Sequence, residues 1–183
     1  HEAISYGVTG PTLRGSGVAY DLRKDAPYSS YDDFDFHVPV GDYGDAYDRY
    51  LVRMEEFIQS IRIIEQAIEN LPQGPIQTDN PLVAIPDLKA VQQDAGALIR
   101  RFKIGSDGPL LPSGELYFAA EGAKGELGFY LVGNGTSKPY RLKIRSPGYY
   151  LISALPTMIK GHMIADVITL IGSIDIVLGE VDR

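Results

Sequence analysis

The carboxylates Asp175, Glu180 and Asp182 crowd the last nine residues with Arg183, against an apolar run from Met163 to Leu178. That run is broken only by Asp166, Thr169, Gly172, Ser173 and Asp175. Buried carboxylates cost several kcal/mol unless paired, so these must meet cations, backbone N–H groups or a polar cavity. A terminus is normally polar and loosely held, so one this apolar must be buried in something. It is too interrupted to span a membrane, which takes ~20 apolar residues.

Other reactive groups are sparse. The histidines are His1, His37 and His162, with no metal-binding spacing on a helix. His162, after Gly161, reads as a packed or capping side chain. Gly15-Ser16-Gly17 is too short for a nucleophile elbow. The segment TGPTLRGSGVAYDLR, Thr9 to Arg23, is glycine-rich but fits neither the P-loop nor the dinucleotide fingerprint. It reads as close backbone packing with Arg14 and Arg23 as anchoring cations. Arg141, Lys143 and Arg145 alternate with apolar residues, which makes one strand face basic. That face is either solvated or paired with carboxylates, within the chain or between subunits. The absence of cysteine excludes disulfides, a thiolate nucleophile, and a zinc or iron–sulfur site built on this chain's own thiolates. These residues describe a binding or structural domain.

The elements that position these groups follow from periodicity. Tyr47, Tyr50, Leu51, Met54, Phe57, Ile58, Ile61, Ile64, Ile68 and Leu71 recur every three or four residues, which predicts one long helix over about 45–71 with this stripe as its core face. Asp42 or Asp45 is its N-cap, and Pro72 and Gly74 stop it. Arg49, Arg53, Glu56 and Arg62 read as its solvated flanks, although Val52, Ile63 and Ala67 lie off the stripe and imply a second buried side. A short strand is expected near Phe34–Val38. Pro86 and Asp87 open a second helix to about Phe102, and Gly105–Gly114 reads as a loop.

Near residue 115 the apolar period changes from 3.6 to 2. Leu116–Ala120, Gly128–Val132 and Tyr140–Ile144 read as strands of a small antiparallel sheet, with Asn134-Gly135 as a hairpin signal. A short helix near Tyr150–Lys160 and a last one over 161–172 complete an α+β, mainly helical fold. With 183 residues, 44% of them hydrophobic and 22% charged, one domain is the default. A net charge of −7 argues against nucleic acid or an anionic membrane surface as partner. The opening HEAISYGVTG reads as the end of a helix entered partway, as in a piece of a longer protein.

The segments TGPTLRGSGVAYDLR, GDYGDAYDRYLVRMEE, EGAKGELGFYLV, PYRLKIRSPG and GHMIADVITLIGSIDIVLGEVDR resemble the C-terminal half of the quinone-binding large subunit of respiratory complex I. This is the D-type or forty-nine-kilodalton family of subunits, and the resemblance runs from about Tyr6 to the end. The family is similar in turn to nickel–iron hydrogenase large subunits, which implies a hydrogenase-like fold. In the hydrogenase tail motif Asp175 matches the aspartate, Val177 and Glu180 stand where two metal-binding cysteines would be, and Arg183 matches the last position. Glu121 and Lys124-Gly125 resemble the hydrogenase Glu-Ala-Pro-Arg-Gly loop, with Gly122 and Ala123 departing from it.

The resemblance implies a former metal cavity reused as a quinone headgroup chamber. Asp175, Val177, Glu180, Val181, Asp182 and Arg183 would line it, with no metal and no catalytic residue on this chain. It implies residues 1–183 as a single C-terminal domain or fragment, inactive alone, of a proton-translocating NADH:quinone oxidoreductase. Quinone would be the substrate of the whole complex, and NADH and flavin would belong to other subunits. The iron–sulfur cluster would sit on a neighbouring B-type subunit. A C-type subunit and the membrane-arm subunit beside the quinone channel are the further partners implied, at the cytoplasmic side of a bacterial cell membrane. A non-catalytic scaffold that docks neighbouring subunits is the alternative.

Overall fold

The computed structural model describes residues 1–81 and 83–182. In chain order the helices are α1 (Glu2–Ser5), α2 (Gly10–Arg14), α3 (Leu22–Asp25), α4 (Ala46–Glu69), α5 (Leu88–Gln93) and α6 (Ala95–Asp107), followed after the strands by α7 (Pro147–Ile159), α8 (Asp166–Ile174) and α9 (Leu178–Val181). Strands β1 (Gly114–Gly122), β2 (Gly125–Gly133) and β3 (Arg141–Arg145) form one antiparallel sheet in that order. The chain is therefore α+β, and the change of period near residue 115 marks the start of the sheet. Among the described residues no helix is long and apolar enough to cross a membrane.

The residues group into two compact units. One comprises His1–Leu71, Tyr117–Phe129 and the described part of Ile144–Arg183; the other comprises Pro72–Leu116 and Tyr130–Lys143. In the first unit Val8, Leu13, Leu151, Ala154 and Ile174 are buried together, with Leu155, Met158 and Ile176 packed around them. The apolar run of the closing stretch thus reaches the core through Ile174. Helix α8 starts at Asp166, later than the periodicity predicts, because Gly161 is left-handed (φ 86°) and Asp166 accepts the Met163 N–H at 2.9 Å.

Helix α4 begins where Asp45 accepts the Asp48 N–H at 2.8 Å, but it faces the opposite way from the expectation. The side turned into its own unit carries Asp48, Arg49, Val52 and Gln59, all buried. The predicted core stripe is exposed, with Phe57 65%, Ile61 57% and Ile68 71% accessible. The reason is polar pairing: Arg49 Nε donates to Ser173 Oγ at 3.0 Å, and Arg14 Nε donates to Glu56 at 2.6 Å, so the polar flank holds α4 against α8 and α2. The strand expected near Phe34–Val38 is absent. The Asp35 and His37 N–H groups donate instead to the side-chain carbonyls of Gln66 (2.8 Å) and Gln59 (3.1 Å), so α4 glutamines take the place of a neighbouring strand.

In the second unit the helix expected over 87–102 is two helices. Asp94 is extended (φ −133°, ψ 119°) and accepts the Gly96 and Ala97 N–H groups at 2.9 and 3.0 Å, so a cap replaces a continuous turn. Asp87 caps α5 through the Ala90 N–H at 2.6 Å. Helix α6 runs through part of the expected loop and ends at left-handed Gly108 (φ 71°).

Candidate functional site

The segment Thr9–Arg23 brings backbone and charge together. Gly10 (φ 71°) lies so close to the β1–β2 turn that a Cβ on it would stand 2.5 Å from the Gly125 Cα. A Cβ on Gly125 (φ 133°) would in turn meet Thr9 Oγ1 at 2.6 Å. The glycines therefore seat the hairpin turn directly on α2. The close packing and the anchoring arginines read from the sequence are both present.

Arg14, 2% accessible, is the hub. Its Nε donates to Glu56 at 2.6 Å, and its Nη1 donates to Glu121 at 2.8 Å and to the Tyr20 carbonyl at 2.9 Å. Asp21, fully buried, lies 3.6 Å from Arg14 and accepts a fork from Arg23, with Nη2 at 2.6 Å and Nε at 2.9 Å. Burial by itself would lower Arg14, but Glu56 and Glu121 outweigh it and raise its pKa. Burial by itself would raise Asp21, but the bonds from Arg23 hold it below the usual carboxylate range. Glu121 goes the other way: burial pushes it up more than Arg14 pulls it down.

Arg14, Arg23, Glu56 and Glu121 form one wall of a cavity of about 370 Å³. Its other charged residues are Arg53, Lys124 and Asp175, with Phe57 and Ala123 as apolar lining. Lys124, in the β1–β2 turn, is ion-paired with Asp175, which follows α8 in a left-handed conformation (φ 52°, ψ 54°). Arg53 Nε stands 4.0 Å from the Asp175 carboxylate and is buried without a hydrogen-bond partner. Burial lowers the Arg53 pKa, and Asp175 opposes this only in part. Four cations (Arg14, Arg23, Arg53, Lys124) face three carboxylates (Glu56, Glu121, Asp175) around the cavity, so its walls are close to neutral and rich in donors.

Of the tail residues singled out in the sequence, Asp175 lines this cavity; Val177, Glu180, Val181 and Asp182 do not. Glu180 turns to α7, where its carboxylate accepts the Ser146 hydroxyl at 2.8 Å and the Gly148 N–H at 2.6 Å. Val181 packs beside Gly148, Val177 is half-exposed, and Asp182 is exposed. Arg183 lies outside the described residues. On the basic strand the alternatives divide. Arg145 is internal, donating to the carbonyls of Glu126 and Gly7 at 2.8 Å each and lying over the Tyr150 ring at 4.5 Å, while Arg141 and Lys143 are exposed.

The wall residues that sequence reasoning misassigned are Arg53 and Glu56, read as a solvated flank. The available signal was Val52 beside them, which marked that side of α4 as buried.

Known proteins resemble this chain along its whole length. A D-type subunit of NADH-quinone oxidoreductase from Halorhodospira halophila is 54% identical over 183 residues, covering 99% of this chain and 44% of the relative. The D-type subunits from Magnetococcus marinus and from the Wolbachia of Brugia malayi are 52% and 50% identical, each covering 100% of this chain and 46% and 47% of their own length. The chain thus spans less than half the length of these relatives. Residues 1–183 all match the family described as respiratory-chain NADH dehydrogenase, 49 Kd subunit, and the chain belongs to that family.

Proposed function

We propose that this chain forms part of the quinone-reduction chamber of a proton-translocating NADH:quinone oxidoreductase, and that the cavity beside Asp175 is its share of the headgroup site. The observation that carries the reading is Arg53, a cavity-lining arginine whose buried Nε has no hydrogen-bond partner and stands 4.0 Å from the Asp175 carboxylate. A buried donor left unpaired costs ~1–3 kcal/mol, and a quinone carbonyl is the acceptor that such a group lacks. A near-neutral wall suits an uncharged headgroup better than a polyanion. Lys124 and Asp175, matched separately to the hydrogenase Glu-Ala-Pro-Arg-Gly loop and tail motif, meet at this one wall, which supports a hydrogenase-like fold and a reused cavity.

With no cysteine in the chain and no group of three or more His, Asp or Glu side chains that could hold a metal among the described residues, the residues do not fit a redox metal. In this reading the electrons come from the iron–sulfur cluster of a B-type neighbour, and no catalytic residue is assigned here. Arg53 and Lys124 orient a carbonyl, and Asp175 holds both cations. Val177, Glu180, Val181, Asp182 and Arg183 are proposed to line a part of the chamber away from this cavity, closed by the rest of the subunit. Residues 1–183 are then a C-terminal domain or fragment, inactive alone. Its neighbours are B- and C-type subunits and the membrane-arm subunit, at the cytoplasmic face of the cell membrane.

The test is Arg53→Met in the assembled complex. A raised quinone KM or weakened quinone-site inhibition is expected, with NADH-driven reduction of artificial acceptors upstream unchanged. Unaltered quinone kinetics and inhibitor sensitivity in an assembled variant would leave the scaffold role instead.

A further inference from the structure

The exposed stripe of α4 has a regular spacing. Its apolar residues alternate three and four apart at positions 47, 50, 54, 57, 61, 64 and 68, and the spacing continues to Leu71 just past the helix end. That is the a/d pattern of helices packed knobs-into-holes. Each of these side chains is between 45% and 73% accessible. Val52 and Gln59, on the opposite face, are 3% and 4% accessible, so α4 already uses its other side for its own unit. Contiguous apolar surface on this scale marks an interface.

We infer that this seam is the docking face for helices supplied by the part of the subunit that the relatives carry and this chain does not span. Two observations choose that occupant. More than half of each relative's length lies outside the match, which is ample chain to supply helices. The seam is also broader than a two-stranded coil needs: Leu51 and Ile58, at the e positions, are 44% and 57% accessible. An a/d/e face suits a helix in the core of a bundle of several helices, which fits several segments of one subunit better than a single α4 from a second copy. Phe57 belongs to both the seam and the cavity lining, so the docked helices also border the cavity. The inference rests on family membership and stands apart from the quinone reading.

Ile64→Cys and, off the seam, Glu69→Cys in the full-length subunit test it by maleimide labelling read by mass spectrometry at those positions. Labelling at 64 should be roughly 100-fold slower than at 69, as for a site opened only by local unfolding, and independent of protein concentration. Equal labelling, or protection lost on dilution as for a second copy, overturns the inference. Photo-methionine incorporated at Met54 needs no disruptive substitution. Its cross-links should fall on peptides of the same subunit outside the 183-residue span, whereas cross-links only to another subunit or to a second copy of α4 overturn it.

Discussion

Lys124 and Asp175, 51 positions apart, form an ion pair that joins the tip of the β1–β2 hairpin to the residue just after α8. Asp175 reaches it only because it adopts a left-handed conformation (φ 52°) that turns the chain out of α8. The pair is part-exposed, so its contribution lies in positioning more than in stability. On the proposed quinone-site reading, Lys124→Met and Asp175→Asn in the assembled complex should each reduce NADH:quinone turnover roughly tenfold, and the double variant should lose less than the product of the two, as coupled partners do. Multiplicative losses would show that the pair does not act as a unit.

Arg14 compensates buried Glu121 and Asp21 together with Glu56. Removing one partner of a buried network leaves charge uncompensated, so Arg14→Met should destabilise the subunit by about 3–5 kcal/mol. Arg14→Lys should recover only part of this, because an ammonium cannot reproduce a guanidinium that serves three directions. Urea unfolding of the subunit measures both.

The same cluster sets an acid limit on stability. The folded pKa of Asp21 is lowered, so its contribution is fully present above the unfolded value of about 3.9 and is lost as pH falls through the folded value. The folded pKa of Glu121 is raised, so its contribution has the opposite sign: it is present below about 4.3 and lost as pH rises through the folded value. Asp21→Asn should therefore cost about 3 kcal/mol at pH 7, as for a broken buried pair. The wild-type and variant stabilities should converge in acid, read from unfolding midpoints across pH.

Gly10→Ala and Gly125→Ala should each cost about 3 kcal/mol, combining a left-handed backbone with overpacking. The added methyl on Gly10 meets backbone that cannot yield, 2.5 Å away. Gly135, also left-handed (φ 85°) but with nothing within 4 Å of an added Cβ, should cost about 1 kcal/mol as alanine. Thermal unfolding that ranked Gly135→Ala with the other two would refute the close approach.

The tail is held through Glu180, whose carboxylate takes the Ser146 hydroxyl and the Gly148 N–H at the start of α7. Glu180→Ala should raise amide exchange over 178–182 about tenfold, the effect of losing a charge-assisted bond, and leave the core around Leu151 protected. Unchanged exchange in the tail would place its anchor elsewhere.

Local chemistry is legible in the sequence. The long helix read over about 45–71 with Asp42 or Asp45 as its cap, the helix start at Pro86 and Asp87, the three strands and the close packing of Thr9–Arg23 all depend on a few neighbouring residues, and dihedral preferences and side-chain period encode them directly. The break at Asp94 was less legible, because the residue serves equally as a helix interior or as a cap. The chain alone does not rank the two faces of α4: Val52 marks a second buried side, but the longer apolar stripe reads as the core face. Periodicity shows that a seam exists, but partners decide what covers it, and here Arg14, Ser173 and the 34–38 segment claim the polar side through bonds between distant residues. The tail shows the same division. Its apolar run required burial, and Ile174 is indeed fully buried. Only tertiary structure sent Asp175 to the cavity and Glu180 to α7, because each carboxylate goes to whichever donor the fold brings within about 3 Å.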